Sequence, residues 1–238
     1  MPISATRSLT AILLALALLA TGCVSTRARL ADGVDSGAAL GRGAGVVVID
    51  PDVELYTLLP SGLSEARADW TAQAKGHVQR GIDQHLAASG ARMLRLPELN
   101  DSSASNARRQ IELLYQALAN SILSAELAPE LLPTKRDRFD WTMGPGVSSL
   151  QAPEEARYAL FVLVRDSYAT AGRKALMVLG PLLGIGARGG TQIGVASLVD
   201  LRDGKVVWFN LLVAQRGDLR EADAANEAIA SLLTGLPL

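Results

Sequence analysis

The sequence predicts a mixed α/β domain: one sheet of about five strands, amphipathic helices packed on it, and a C-terminal β-hairpin followed by a helix. Three observations carry this. First, "GVVVID" (45–50) and "RYALFVLVR" (157–165) are short, nearly continuous apolar runs, the pattern of strands buried on both faces. Second, Ala66, Trp70, Ala74, Val78, Ile82 and Leu86 recur every four residues between Ser64 and Ala88, which gives one apolar stripe on a helix. Third, Asp203-Gly204 stands between "TQIGVASLVDL" and "KVVWFNLLVA", and Asp-Gly between two such runs is a strong hairpin signal.

The chain of 238 residues opens like an export signal. Arg7 is the only charged side chain before position 27, and Leu9 to Ala20 is a run of apolar and small residues. Twelve helical residues reach about 18 Å, short of the roughly 30 Å of a bilayer core. Residues 1–22 therefore read as a cleaved signal peptide rather than a membrane span. Residues 24–44, "VSTRARLADGVDSGAALGRGA", are small, polar and glycine-rich and read as a flexible tether. A single globular domain is expected over 45–238. Net charge is −1, too balanced for a nucleic-acid footprint. Aromatics make up only 4% of the chain, so alanine, leucine and valine must fill most of the core.

Within the domain, the strand from Gly45 meets Pro51, which donates no backbone hydrogen bond and predicts a bend. Ser64 is a plausible helix N-cap, and Ser89-Gly90 closes that helix. "ARMLRL" reads as a short strand. Asn106 to Leu123 reads as a second amphipathic helix with Ile111, Leu114, Tyr115, Leu118 and Ile122 on one face. Pro129 and Pro133 break the pattern, and Pro153-Glu154-Glu155 suggests a short helix. A helix-like segment covers Ala171 to Leu183. Asp218-Leu219-Arg220-Glu221 reads as an acidic variant of the capping box, starting a last helix through Leu233.

Four groups of residues tempt a functional reading. Gly184-Ile185-Gly186-Ala187-Arg188-Gly189 has the spacing of a dinucleotide turn. Such a turn needs a strand before it and a helix after it; here the order is reversed, and no cofactor is expected. His77 and His85, the only histidines, lie about 12 Å apart along one helix, too far to share a metal ion. No metal site is expected. Arg138, Phe139, Asp140 and Trp141, with Arg173, mix charge and aromatic surface as partner-binding loops do. The same residues also suit an internal role, with Arg-Asp pairs holding a long loop on the sheet. The neighbouring Arg165-Asp166-Ser167-Tyr168 shares both readings. Finally, "VVVIDPDV" ends a strand in Asp50-x-Asp52, with Asp218 and Asp223 far downstream.

That last pattern resembles the first and last motifs of haloacid-dehalogenase-type phosphatases. The resemblance implies a magnesium-dependent enzyme in which one aspartate attacks phosphorus and the other moves the proton. The middle serine or threonine motif is missing, and Val53 stands where the family has glycine. Leu19-Ala20-Thr21-Gly22-Cys23 resembles a bacterial lipobox, with Ala20 where leucine is preferred. It implies acylation of Cys23, the only cysteine, and stable anchoring through acyl chains. Val24, rather than aspartate, after the cysteine implies transfer to the outer membrane on its periplasmic side. "DRFDWTMGPGV", "RDSYATAGRKA" and "ASLVDLRDGKVVWFN" are similar to a group of proteobacterial outer-membrane lipoproteins. The layout is loosely similar to the amino-terminal domain of TolB-type proteins and to curli-secretion-type lipoproteins. These likenesses imply a non-enzymatic envelope lipoprotein that binds or assembles with envelope or export proteins, or with copies of itself.

Overall fold

A computed structural model of the chain describes residues 24–34, 44–183, 186, 189–215 and 217–238. One mixed sheet of eight strands runs through the domain, larger than the five expected. In chain order its strands are β1 (Val24–Leu30), β2 (Gly45–Val48), β3 (Asp52–Leu58), β4 (Ser64–Ala66), β5 (Arg92–Leu94), β6 (Ala156–Ala169), β7 (Gln192–Asp200) and β8 (Val206–Ala214). Among the described residues four α-helices accompany them: α1 (Ala68–Ser89), α2 (Ser102–Leu127), α3 (Ala171–Leu179) and α4 (Ala222–Leu232).

The organising strand is β6. Along one side it pairs antiparallel with β7, from Tyr158 opposite Asp200 to Asp166 opposite Gln192. Along the other side it pairs parallel first with β2 and then with β3. The expected bend at Pro51 separates these two strands. β5 extends the sheet beyond β2, and β4 beyond β3. On the far side, β8 pairs with β7 and β1 pairs with β8.

Both faces of this sheet are covered, which is why β6 reads as an unbroken apolar run. Tyr158, Leu160, Val162 and Val164 point to the face where α1 contributes Val78, Ile82 and Leu86 and α4 contributes Ile229 and Leu232. Ala159, Phe161 and Leu163 point to the other, under Ile111, Tyr115 and Ile122 of α2. The two-residue alternation of a strand thus serves two separate cores. Tyr115 stacks on Phe161 with ring centroids 4.3 Å apart and donates its hydroxyl to Ser197 or accepts from it at 3.0 Å. Burial raises the Tyr115 phenol far above its ordinary pKa.

Several sequence expectations change. Val24–Leu30 forms a sheet strand rather than tether, because Arg27 and Arg29 reach the carboxylate of Glu126 on α2 at 3.2 and 3.0 Å while the backbone pairs with β8. Of the rest of the tether, Ala31 is buried, and residues 35–43 lie outside the described residues, as do the signal peptide and Cys23. Ser64 caps no helix. Ser64–Ala66 turns back along β3, and α1 starts at Ala68 after Arg67. The second helix is longer than expected, because Asp101 accepts from the Ala104 N–H and caps it earlier. Leu114, expected on its inner face, is exposed. Residues 153–155 form a turn, not a helix. The Asp218 carboxylate accepts from the Arg220 N–H instead of capping α4, which begins at Ala222. The hairpin between β7 and β8 forms as expected, with Gly204 at φ +76° where an added Cβ would collide with the Gly144 backbone.

Candidate functional site

At the C-terminal end of β6 the structure opens into a cleft of about 1050 Å³. Its floor is Asp166, Ser167 and Tyr168 of β6 with Gln192 of β7. Arg67 and Trp70 approach from the start of α1, Asp218 and Arg220 from the loop before α4, and Lys174 and Met177 from α3. Gly190 completes the wall. It packs so tightly on β6 that an added Cβ would collide with the Ser167 carbonyl, so only glycine fits.

The floor is a polar network in a low-dielectric place. Asp166 is 4% exposed. Its carboxylate accepts from the Tyr168 hydroxyl at 2.6 Å, the Gln192 amide at 3.0 Å and the Ser167 N–H at 2.7 Å. Every one of these donors is neutral. Burial outweighs them and pushes the Asp166 pKa from its ordinary 3.8 up to about 6. Tyr168 is held protonated, by burial first and then by the Asp166 charge. Its oxygen also accepts from the Leu219 N–H at 2.8 Å, and His77 of α1 meets the Leu219 carbonyl at 3.1 Å. The loop before α4 is therefore pinned to both β6 and α1.

The rim is aromatic and basic. The Arg220 guanidinium lies 4.2 Å from the centroid of Tyr168 and 4.5 Å from that of Trp70. Arg67 covers Trp70 at 4.1 Å. The two rings meet edge to face at 5.7 Å. Arg220 forms an ion pair with Asp218 and Arg67 one with Asp69. Burial opposes ionisation of Asp218, yet the hydrogen bonds and charge of Arg220 bring its carboxyl below the usual range. Planar cations stacked on rings beside a buried carboxylic acid suit a ligand with both polar and flat or apolar parts, such as a peptide segment. Among the described residues no three His, Cys, Asp or Glu side chains gather as metal ligands.

The residues singled out from sequence fall elsewhere, with a few exceptions. Phe139 is 1% exposed and packs on Phe209, so it belongs to the core and not to a partner surface. Asp140 is paired with Lys135 and Arg138, each at 2.6 Å, and Lys135 also covers Trp141. Phe139 ties this loop to the core, while the Arg138 side chain, paired with Asp140, stays largely exposed. Arg173 does not join it. Arg173 follows the C-terminal end of β6 and donates to the Leu59 carbonyl, whereas Thr142 bridges Lys205 at the hairpin, the opposite end of the sheet. Asp50 and Asp52 line a smaller cleft of about 310 Å³. Asp50 pairs with Lys75 at 2.6 Å, and Asp52 with Arg165 at 2.7 Å. Asp218 lines the large cleft, and Asp223 lies in the first turn of α4, so these four aspartates do not share one site. Residues 184, 185, 187 and 188 of the glycine run lie outside the described residues. Its flanks are α3 before and β7 after, the reverse of a dinucleotide turn.

No protein-family model and no curated protein matches the chain. Among solved structures, the PelC dodecamer from Paraburkholderia phytofirmans aligns over 90% of this chain and 97% of its own, at 15% identity and a TM-score of 0.37. A point variant of PelC from the same organism aligns over the same shares at 17% identity and a TM-score of 0.37. Likeness at this distance assigns neither a family nor an activity.

Proposed function

We propose that this chain is a non-enzymatic lipoprotein, anchored at the periplasmic side of the outer membrane, whose domain binds an envelope or export protein. The observation that carries the reading is the run Leu19-Ala20-Thr21-Gly22-Cys23, whose cysteine directly precedes the edge strand β1. Acyl chains on Cys23 supply the anchor without a membrane span, and no described helix is long and apolar enough to cross a bilayer. The cleft at the end of β6, with Arg67, Trp70 and Arg220 on its rim, is the docking site. Replacement of Cys23 by alanine should move the protein from the membrane fraction to the soluble periplasm; retention in the membrane sinks the anchoring. Magnesium-dependent phosphate release by the purified domain, abolished by Asp50→Asn, overturns the non-enzymatic part.

A second reading names a further copy of this chain as the partner. It is favoured by β1, a seven-residue strand whose outer backbone edge pairs with no described strand. Such an edge is a template for strand addition. Light scattering of the purified domain decides it: a monomer at high concentration removes self-association.

A further inference from the structure

The register of the sheet fixes which end of the domain faces the anchor. Val24, the residue after Cys23, pairs with Ala214; Ala214 pairs with Gln192; Gln192 pairs with Asp166. The chain therefore enters the sheet at the C-terminal end of β6. The hairpin turn at Asp203 lies at the opposite end. Three inter-strand steps, about 14 Å, separate β1 from β6 across the sheet. From Asp166 the strand continues outward to Ala169, about 10 Å further than the level of Val24.

What projects there is largely apolar and unburied among the described residues. Helix α3 follows β6 at once, capped by Thr170, which accepts from the Arg173 N–H. No α3 side chain is buried. Val178 is 74% and Leu179 56% exposed. Beside the helix, the β3–β4 turn presents Leu63 at 67% exposure. The two segments touch: an added Cβ on Gly172 would come within 3.1 Å of Pro60, and one on Gly62 within 3.6 Å of the Arg173 guanidinium. Lys174 stands on the same helix, exposed beside the apolar residues. Exposed apolar side chains flanked by cations, at the tip nearest an acyl anchor, match the chemistry of an anionic lipid surface.

We propose that α3 and the β3–β4 turn rest on the membrane that holds the anchored chain, with Val178, Leu179 and Leu63 inserted among the headgroups and upper acyl chains. This rests on acylation of Cys23, as proposed above. It sets the cleft at the end of β6 beside the membrane surface, where a docking partner would meet it, and the hairpin toward the periplasm.

The test uses the acylated chain, from Cys23 onward, in vesicles of phosphatidylethanolamine and phosphatidylglycerol. Val178→Cys and, separately, Asp203→Cys carry an environment-sensitive fluorophore; Cys23, being acylated, takes none. Flotation with the vesicles reports anchoring, and emission wavelength reports contact. We expect both proteins to float, the label at 178 to shift to shorter wavelength and be quenched by spin-labelled lipid, and the label at 203 to do neither. Flotation with an unshifted label at 178, or with equal shifts at both positions, overturns the membrane contact and leaves the anchor standing. Failure to float overturns the anchoring and this inference with it. Val178 is exposed, so the substitution leaves the core untouched.

Discussion

Two buried aspartates on one face of the sheet show how differently its two ends are built. Asp166 and Asp200 stand at opposite ends of the β6–β7 ladder, 4% and 5% exposed. Asp200, at the hairpin end, takes both nitrogens of a fork from Arg157 at 3.1 and 2.8 Å and from Arg202 at 3.2 and 3.0 Å. Asp166, at the cleft end, has only neutral donors among the described residues. Burial raises both carboxyls, but at Asp200 the Arg157 charge opposes the rise. The hairpin end is a closed, ion-paired corner that holds the fold. The cleft end keeps its cations on the rim, stacked on rings, and leaves its carboxyl to titrate near neutrality.

The strongest way to break this contrast is titration. The folded pKa of Asp166, about 6, lies above its ordinary 3.8, so between those values the folded protein binds more protons than the unfolded chain. The group's stabilising contribution is complete below about pH 4 and is lost as pH rises through about 6. Roughly two units at about 1.4 kcal/mol each amount to on the order of 3 kcal/mol. Urea unfolding of the parent and of Asp166→Asn should therefore diverge: the stability difference, parent minus variant, falls by about that amount between about pH 4 and 7.5. A difference that stays flat across this range means that the fold does not raise the Asp166 carboxyl.

The hairpin end should respond at constant pH. Arg157→Met removes the better-buried fork and leaves Asp200 to Arg202, whose side chain is 66% exposed. A buried carboxylate short of a charged partner costs about 2 kcal/mol, read as a shift of the urea midpoint at pH 7. Arg202→Ala should cost well under about 1 kcal/mol, because exposed pairs contribute little. Equal losses from the two variants remove the distinction between an inner and an outer arginine.

How much of this was legible in the sequence differs between the two ends as well. The hairpin end was announced by Asp203-Gly204, because a turn needing positive φ has few residue choices. Strand β6 was equally plain, since two covered faces leave an unbroken apolar run. The cleft was not. Its residues come from α1, β6, α3, β7 and the loop before α4, and no local spacing links Trp70 to Tyr168 or Arg220. Arg165-Asp166-Ser167-Tyr168 did stand out, but nothing local told that Asp166 points into a buried floor while Arg165 turns back to Asp52. The nearest signal was a polar residue at 166 continuing the inward alternation of Tyr158 to Val164. Strand β1 was missed because its pairing is carried by backbone and two of its residues are arginines, which find Glu126 only in three dimensions. Ser64-Glu65 misled for the opposite reason: a good cap sequence was overridden by pairing with β3.

An effect smaller than those of Asp166 and Arg157 discriminates more finely, because it asks whether the rim of the cleft is held by shape or by charge. Arg220 touches two rings and one carboxylate. If the carboxylate were the whole of it, lysine would serve, as at any exposed ion pair. A guanidinium is flat and lies against Trp70 and Tyr168 in a way an ammonium on a flexible stem does not reproduce. Arg220→Ala should cost about 1 kcal/mol in urea unfolding, with the Asp218 carboxyl rising once its partner is gone. Arg220→Lys should bring the Asp218 titration back toward its original position while leaving most of the stability loss in place. Full recovery of both by lysine makes the rim another ion-paired corner, and the contrast between the two ends then reduces to Asp166 alone.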